Sequence, residues 1–277
     1  MCIDRSPFMT VEIRSRRGDV LHRVMQANTP REAVQLLAKR GADLTGAELE
    51  GADLSGIDLE EVQLAKANLS GARFDRANLE DAELREANLP GASLNGANAA
   101  NVDFSRAIMV AVTARGANLE HARLDGADAA RASLQGSNLE RTDLRGAVLT
   151  DANLARSNLE RALLERVVAR DASFAGANLE KADLRDADLS GADFAGANLE
   201  RCDLRGARLV GAKLVGANLE RCDLRWADLS GANLAEANME RCDVEGTRMT
   251  GVDLGSANVE RLRGTPLRDD EGNNPYR

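Results

Sequence analysis

The chain has 277 residues, a formal net charge of −9, 43% hydrophobic residues and only 3% aromatics. Acidity with scarce aromatics argues against a nucleic-acid-binding surface, and no apolar run is long enough to span a membrane. Neither end carries a secretory signal and the cysteines number four, so a cytoplasmic protein is expected.

Residues 1–9 have no pattern and are expected to be disordered; Met9 offers an alternative start to Met1. Val11-Glu12-Ile13, a polar stretch Ser15–Asp19 with Gly18, and Val20–Met25 predict a hairpin. Thr29-Pro30-Arg31-Glu32 is a capping box with Pro at the first helical position, and Gly41 stops the helix begun there. A segment of about thirty residues is too small for a core of its own. Residues 10–40 are therefore read as a ββα lid on the chain beyond Gly41.

From Leu44 to Val259 a large apolar residue stands at every fifth position without an insertion, with a small residue two places before it. The exceptions are Ala99, Ala114, Ala129 and Ala169. Val112 and Val167 compensate for Ala114 and Ala169, whereas Ala99 and Ala129 are expected to mark looser coils. A period of five fits neither a helix, where it advances about 500°, nor a continuous strand, where it alternates faces. The chain must bend once per repeat. With the large residue at position i, residues i−2 and i point inward and i−1 outward, while i+1 and i+2 form a corner. Pro90-Gly91 falls on that corner and signals a type II turn. Asn-Leu-Glu-Arg returns after twenty residues at 198, 218 and, varied, at 238, so four corners close a coil. The result is an all-β, square-sectioned solenoid over 41–261, of about eleven coils and roughly 53 Å at ~4.8 Å per coil. Leu144 should face the core, and Asn158 should face outward and tolerate substitution. The tail, 262–277, is polar and expected to be flexible, with Leu262 and Leu267, or another protomer, covering the last coil.

Quintets such as Ala182-Asp183-Leu184-Arg185-Asp186 and Ala192-Asp193-Phe194-Ala195-Gly196 resemble the pentapeptide-repeat family. The resemblance implies a right-handed quadrilateral β-helix. It implies no catalytic residues and no cofactor. The best understood members are bacterial proteins that bind DNA gyrase and protect it from inhibitors, through a rod shape and acidic surface that imitate DNA.

Cys202, Cys222 and Cys242 occupy position i−2 in successive coils. Three thiols in a line with no histidine cannot build a tetrahedral metal site, so they are read as small buried hydrophobes. His22 and His121 lie far apart in the sequence pattern, and no nucleophile–base set appears. Neither an enzyme nor a metal protein is expected. The repeat region carries a net charge of −13 and the first forty residues +4. A duplex of the same length carries roughly thirty charges, so the rod is a weak DNA mimic. Its acidic end gathers Asp58, Glu60, Glu61, Glu80 and Asp81. On the same Asn-Leu-Glu face, from Glu140 onward, each Glu is followed by a base (Arg141, Arg161, Lys181, Arg201, Arg221, Arg241, Arg261), and those ladders should cancel. Outward positions usually holding Asn or Asp carry Ile108, Val148, Leu163 and Val168, with Val110 at a turn and Trp226 at a corner. A protein-binding rod is the expected function, with these residues as the docking patch. Gyrase binding through the acidic end is the alternative. Direct nucleic-acid or membrane binding is not expected; a homodimer through the C-terminal end is.

Overall fold

The computed structural model describes residues 10–267. Strands β1 (Val11–Arg14) and β2 (Val20–Val24) pair antiparallel, and helix α1 (Pro30–Ala38) comes next. Thr29 Oγ1 accepts the Glu32 N–H at 3.2 Å, but the Glu32 carboxylate reaches back to the N–H of Asn28 at 2.7 Å, one residue before the cap. Ile13, Val24, Ala33, Val34 and Leu37 are buried in one continuous core with the repeats. The backbone joins as well: Glu48 N–H donates to Arg14 O at 2.7 Å, and Ser15 bridges antiparallel to Ala47. His22 Nε2 lies 2.6 Å from the Asp43 carbonyl, which accepts its proton.

From Asp43 to Arg263 every outward residue except Asp253 pairs in parallel with a residue twenty positions away. Leu144 shows how a repeat is built. Its N–H donates to Leu163 O at 2.7 Å, and Leu163 N–H donates to Thr142 O at 2.9 Å, so neighbouring coils satisfy each other's backbone. At the corner Ala147 N–H closes onto Leu144 O at 3.0 Å, and Gly146 has φ +65°. That is the positive φ a type II turn demands of its third residue. Glycine is not obligatory there: Arg161, Arg201 and Trp226 adopt φ between +57° and +63°. The turn hydrogen bond and two ladders hold these residues in a conformation that costs an L-residue about 1–2 kcal/mol.

Four outward positions per coil define four faces. Face 1 carries residues 43, 63 and so on, face 2 begins at 48, face 3 at 53 and face 4 at 58. Inside, Leu, Phe, Met and Val stack in columns with Ala between them, nearly all fully buried. Each buried Leu contributes about 1.5–3 kcal/mol against the entropy of ordering the chain. Phe174 and Phe194 stack with ring centroids 4.8 Å apart and planes within 3°, which is also the coil spacing. The Ala-centred coils keep the twenty-residue register. Their turn bonds stretch to 3.4 Å at Ala99 and 3.3 Å at Ala114 and Ala169, but only 3.1 Å at Ala129. The loosening therefore tracks neither the compensated nor the uncompensated pair. At the far end Leu262 is partly buried against the core, while Leu267 stays 45% exposed and Pro266 is the buried residue. Leu267 is held through its backbone, its N–H donating to Thr247 O at 2.8 Å. Residues 1–9 and the tail beyond 267 lie outside the described residues.

Candidate functional site

The outward chemistry of the rod is organised on its four faces. On face 4 the side-chain amides form one ladder. Each Asn Nδ2 from Asn258 down to Asn78 donates to the Oδ1 one coil earlier, at 2.9–3.2 Å, and the last donates to Asp58. Most of these Oδ1 atoms also accept the N–H two residues on, as Asn158 does from Glu160 at 3.2 Å. Asn158 is thus not an indifferent outward residue. The outward position buries part of its amide between two neighbours, and period counting alone cannot reveal side-chain bonding between coils.

Beyond this ladder, at the corner into face 1, Glu and Arg alternate. Arg221 reaches Glu220 at 3.5 Å and Glu200 at 3.7 Å; Arg241 reaches Glu240 at 3.6 Å and Glu220 at 3.7 Å. Such half-exposed pairs are worth under about 1 kcal/mol each, yet they cancel the surface field. His121 occupies the same column and lies 3.7 Å from Glu120.

Face 1 holds a second ionic ladder that the repeat pattern alone does not reveal. Arg145, Arg185, Arg205 and Arg225 each fork onto the Asp two residues before, Nε to one oxygen at 2.8–2.9 Å and Nη2 to the other at 2.5–2.6 Å. Hydrogen bonds from Arg145 and Arg185 hold Asp143 and Asp183 below the usual carboxylate range. The same forks push the three guanidiniums Arg145, Arg185 and Arg225 up. A signal for them is present in the chain: Asp-Leu-Arg recurs at 143, 183, 203 and 223, and a bend between them folds i+1 back toward i−1.

The five acidic residues singled out from the sequence come together at the start of face 4 and its corner, on two successive coils. Glu61 N–H donates to Glu80 O at 2.9 Å, joining the coils there. Asp58 ends the amide ladder and Glu80 accepts from Asn98 Nδ2 at 3.0 Å. Among the described residues, Asp58, Glu60, Glu61, Glu80 and Asp81 make no ion pair.

The apolar residues divide among several columns. Ile108, Val148 and Val168 stand in one column of face 2, interrupted by Asp128, through the bridges Ile108–Asp128, Asp128–Val148 and Val148–Val168. Ile108 is 47% exposed. Val148, Val168 and Val110 are half-buried, Val110 at the corner leaving face 2. Leu163 is on face 1, between Asp143 and Asp183. Trp226 is 66% exposed and away from this group. Its indole lies across Gly246, where a Cβ would come within 2.2 Å of the ring. The ring walls a shallow depression of about 400 Å³ shared with Arg185, Arg205 and Arg225. Val215, at a corner, is also exposed, and nothing in the repeat pattern marks it.

Cys202, Cys222 and Cys242 are free and buried. Each Sγ donates to a Leu carbonyl of the previous coil, at 2.8–2.9 Å, as the Thr142 and Thr247 hydroxyls do. Burial pushes the Cys222 thiol well up; hydrogen bonding to Cys222, with burial, raises that of Cys242. Among the described residues no group of three or more His, Cys, Asp or Glu is arranged to hold a metal ion, and no helix is long and apolar enough to cross a membrane.

The family model for "Pentapeptide repeats (8 copies)" matches residues 42–81, 77–113, 115–151, 147–186, 182–221 and 217–255. The chain belongs to the pentapeptide-repeat family. The chain is also similar to solved pentapeptide-repeat proteins. HetL, involved in heterocyst differentiation regulation in the cyanobacterium Nostoc sp. strain PCC 7120, is 29% identical over 79% of this chain and 92% of its own, with a TM-score of 0.46. Full-length QnrB1, a plasmid-mediated fluoroquinolone resistance protein, is 19% identical over 74% of this chain and 92% of its own, with a TM-score of 0.36. A pentapeptide-repeat protein of the Arabidopsis thaliana thylakoid lumen is 28% identical over 37% of this chain and 80% of its own, at 0.33. At these TM-scores membership rests on the repeat match. No curated protein sequence matches the chain.

Proposed function

We propose that this pentapeptide-repeat chain is a non-enzymatic protein-binding rod, working in a bacterial cytoplasm. The observation that carries the reading is the self-compensation of its ladders. Amides satisfy amides on face 4, and guanidiniums satisfy carboxylates on face 1 and at the corner beside it. Regular ladders place like groups beside like, whereas catalysis needs unlike groups converging on one reacting atom. Outside these ladders stand the outward apolar residues Ile108, Val110, Val148, Leu163 and Val168, with Trp226. Buried apolar and aromatic anchors carry most interface energy. Residues 10–40 serve as the cap of the first coil, 41–261 as the rod and 262–277 as a tail, and the last coil is the surface through which two copies would pair.

A second reading, gyrase binding by imitation of DNA, is favoured by the five carboxylates at the start of face 4 and its corner, which make no ion pair among the described residues. The two separate in a single experiment. Asp58, Glu60, Glu61, Glu80 and Asp81 are neutralised in one variant; Ile108, Val148, Leu163 and Val168 become Asn in another. Gyrase supercoiling with and without a quinolone, and partner capture from host lysate, are read for each. The rod reading expects no gyrase protection by the wild type and partner loss only in the second variant. Protection lost in the acidic variant would install the alternative.

A further inference from the structure

On face 2 the column Ile108, Asp128, Val148, Val168 is bounded by Asn88 on one side and by Asp188 on the other. Asp188 is engaged by Arg170 at 2.5 Å. Asp128 is different. Its Oδ1 accepts the N–H of Ala130 at 3.2 Å, and among the described residues it has no ion pair. It stands as a lone carboxylate in the middle of an apolar column, beside Pro90, Val110 and Ala130 at the corner. On face 1, by contrast, Asp143, Asp183, Asp203 and Asp223 each have a base beside them.

What can cover this column is limited by geometry. Strand addition is closed, because the backbone of the column is used between coils: Ile108 N–H donates to Ala87 O and Val148 N–H to Ala127 O, both at 2.9 Å. A second copy is disfavoured by charge. A two-fold axis through the centre of the column sets Ile108 against Val168 of the other chain and Asp128 against its Val148. That arrangement buries two unpaired carboxylates, each at a large desolvation cost. An extended segment along the rod repeats its same-face side chains every ~6.7 Å, against a coil spacing of 4.8 Å. An α-helix along the rod returns every ~5.4 Å, and its positions i, i+3, i+7 and i+10 span about 15 Å. The column from Ile108 to Val168 spans three spacings, about 14 Å. The helix fits and the strand does not.

We infer that face 2 between Ile108 and Val168 docks an amphipathic helix of a partner protein, lying along the rod. Its apolar side chains at i, i+7 and i+10 sit on Ile108, Val148 and Val168, and a Lys or Arg at i+3 pairs with Asp128. The inference rests on the protein-binding reading and gives it a partner chemistry. Desolvation by the flanking apolar contacts strengthens the pair, and the carboxylate sets the direction and register of the helix.

The test selects displayed 14-residue helical peptides, randomised at one face, on the full chain. Enrichment of apolar residues at i, i+7 and i+10 with Lys or Arg at i+3 is expected. Affinity should fall at least tenfold with Ile108→Asn or Val148→Asn, whose folding is checked by thermal melting and is expected to be intact because Asn is common at this outward position. The charge reversal Asp128→Lys should change the enriched residue at i+3 to Asp or Glu. Peptides that bind equally well to the Ile108→Asn and Val148→Asn variants, or that show no charge preference, overturn the helix site. If those peptides instead lose affinity with Trp226→Ser, protein binding survives at another place. Selection of no peptide overturns the helix site, and protein binding falls with it only if lysate capture is also empty.

Discussion

Asn78 Nδ2 donates to Asp58 Oδ1 at 2.9 Å, and that single bond ends a column of side-chain amides running the length of face 4. The amide N–H groups all point toward the N-terminal end of the rod, so their dipoles add and a carboxylate meets the positive end. Face 2 repeats the arrangement on a smaller scale, Asn88 donating to Asn68 and Asn68 to Glu48. Each interior amide makes two ladder bonds of about 0.5–1.5 kcal/mol net. Asn158→Ser should therefore cost about 1–2 kcal/mol, and Asp58→Leu about the same by leaving Asn78 without its acceptor. Urea denaturation at neutral pH reads both. Unchanged midpoints would mean that water replaces the ladder without loss.

Leu144 has no exposed surface and sits between the coils of Leu124 and Leu164. Leu144→Lys buries a charge with no partner and should cost more than about 4 kcal/mol, well beyond Asn158→Ser. Thermal melts of the two variants that coincide would reverse the assignment of inward and outward positions.

The three stacked cysteines should resist thiol reagents in the native protein, in a Cys2→Ser background, because all three are buried out of reach. Ellman's reagent is expected to read three thiols only after denaturant is added. Cys222→Thr should be nearly neutral, since Thr142 and Thr247 make the same bond to a Leu carbonyl. Cys222→Val loses that bond and should be the less stable of the two. The reverse order would show that the thiol acts only by its volume.

Trp226 and Gly246 are coupled through the indole that lies over the glycine. Gly246→Ala adds a Cβ into the ring at a backbone φ of +67° and should destabilise by about 1–3 kcal/mol. In a Trp226→Gly background the clash is gone and only the backbone cost of about 1 kcal/mol remains. A double-mutant cycle by chemical denaturation gives the coupling; a value near zero would mean that the indole does not rest on this corner.

Acid should loosen face 1. The Asp143 and Asp183 carboxyls are held below their unfolded values by Arg145 and Arg185. Their stabilisation is complete above the unfolded carboxylate range, about pH 4, and is lost as pH falls through the lower folded-state values. The melting temperature of the wild type should thus fall more steeply below about pH 4 than that of the Arg145→Gln/Arg185→Gln variant, and the gap between them should narrow. A gap independent of pH would assign the effect of the arginines to packing.

The repeat period determined the backbone by itself. A large residue every fifth position and a return every twenty admit one solution, a bend per quintet and four bends per coil, and the bridges from Asp43 to Arg263 conform to it. Local chemistry was equally legible in Thr29-Pro30 at the helix start and Pro90-Gly91 at a corner. What the sequence left open was which outward groups bond across coils. Asn158 looks idle in the repeat pattern and proves to be a rung, and Arg185, marked only by the recurring Asp-Leu-Arg, forks onto Asp183. Both outcomes depend on side chains twenty residues apart, or across a bend, being brought within hydrogen-bond distance, and pattern counting carries no such distances. The end of the rod was decided in the same way: Leu267 is the more hydrophobic residue, but the backbone bond to Thr247 turns Pro266 inward and leaves Leu267 exposed. Period fixes the direction of a side chain; only the stacked coils fix what it touches.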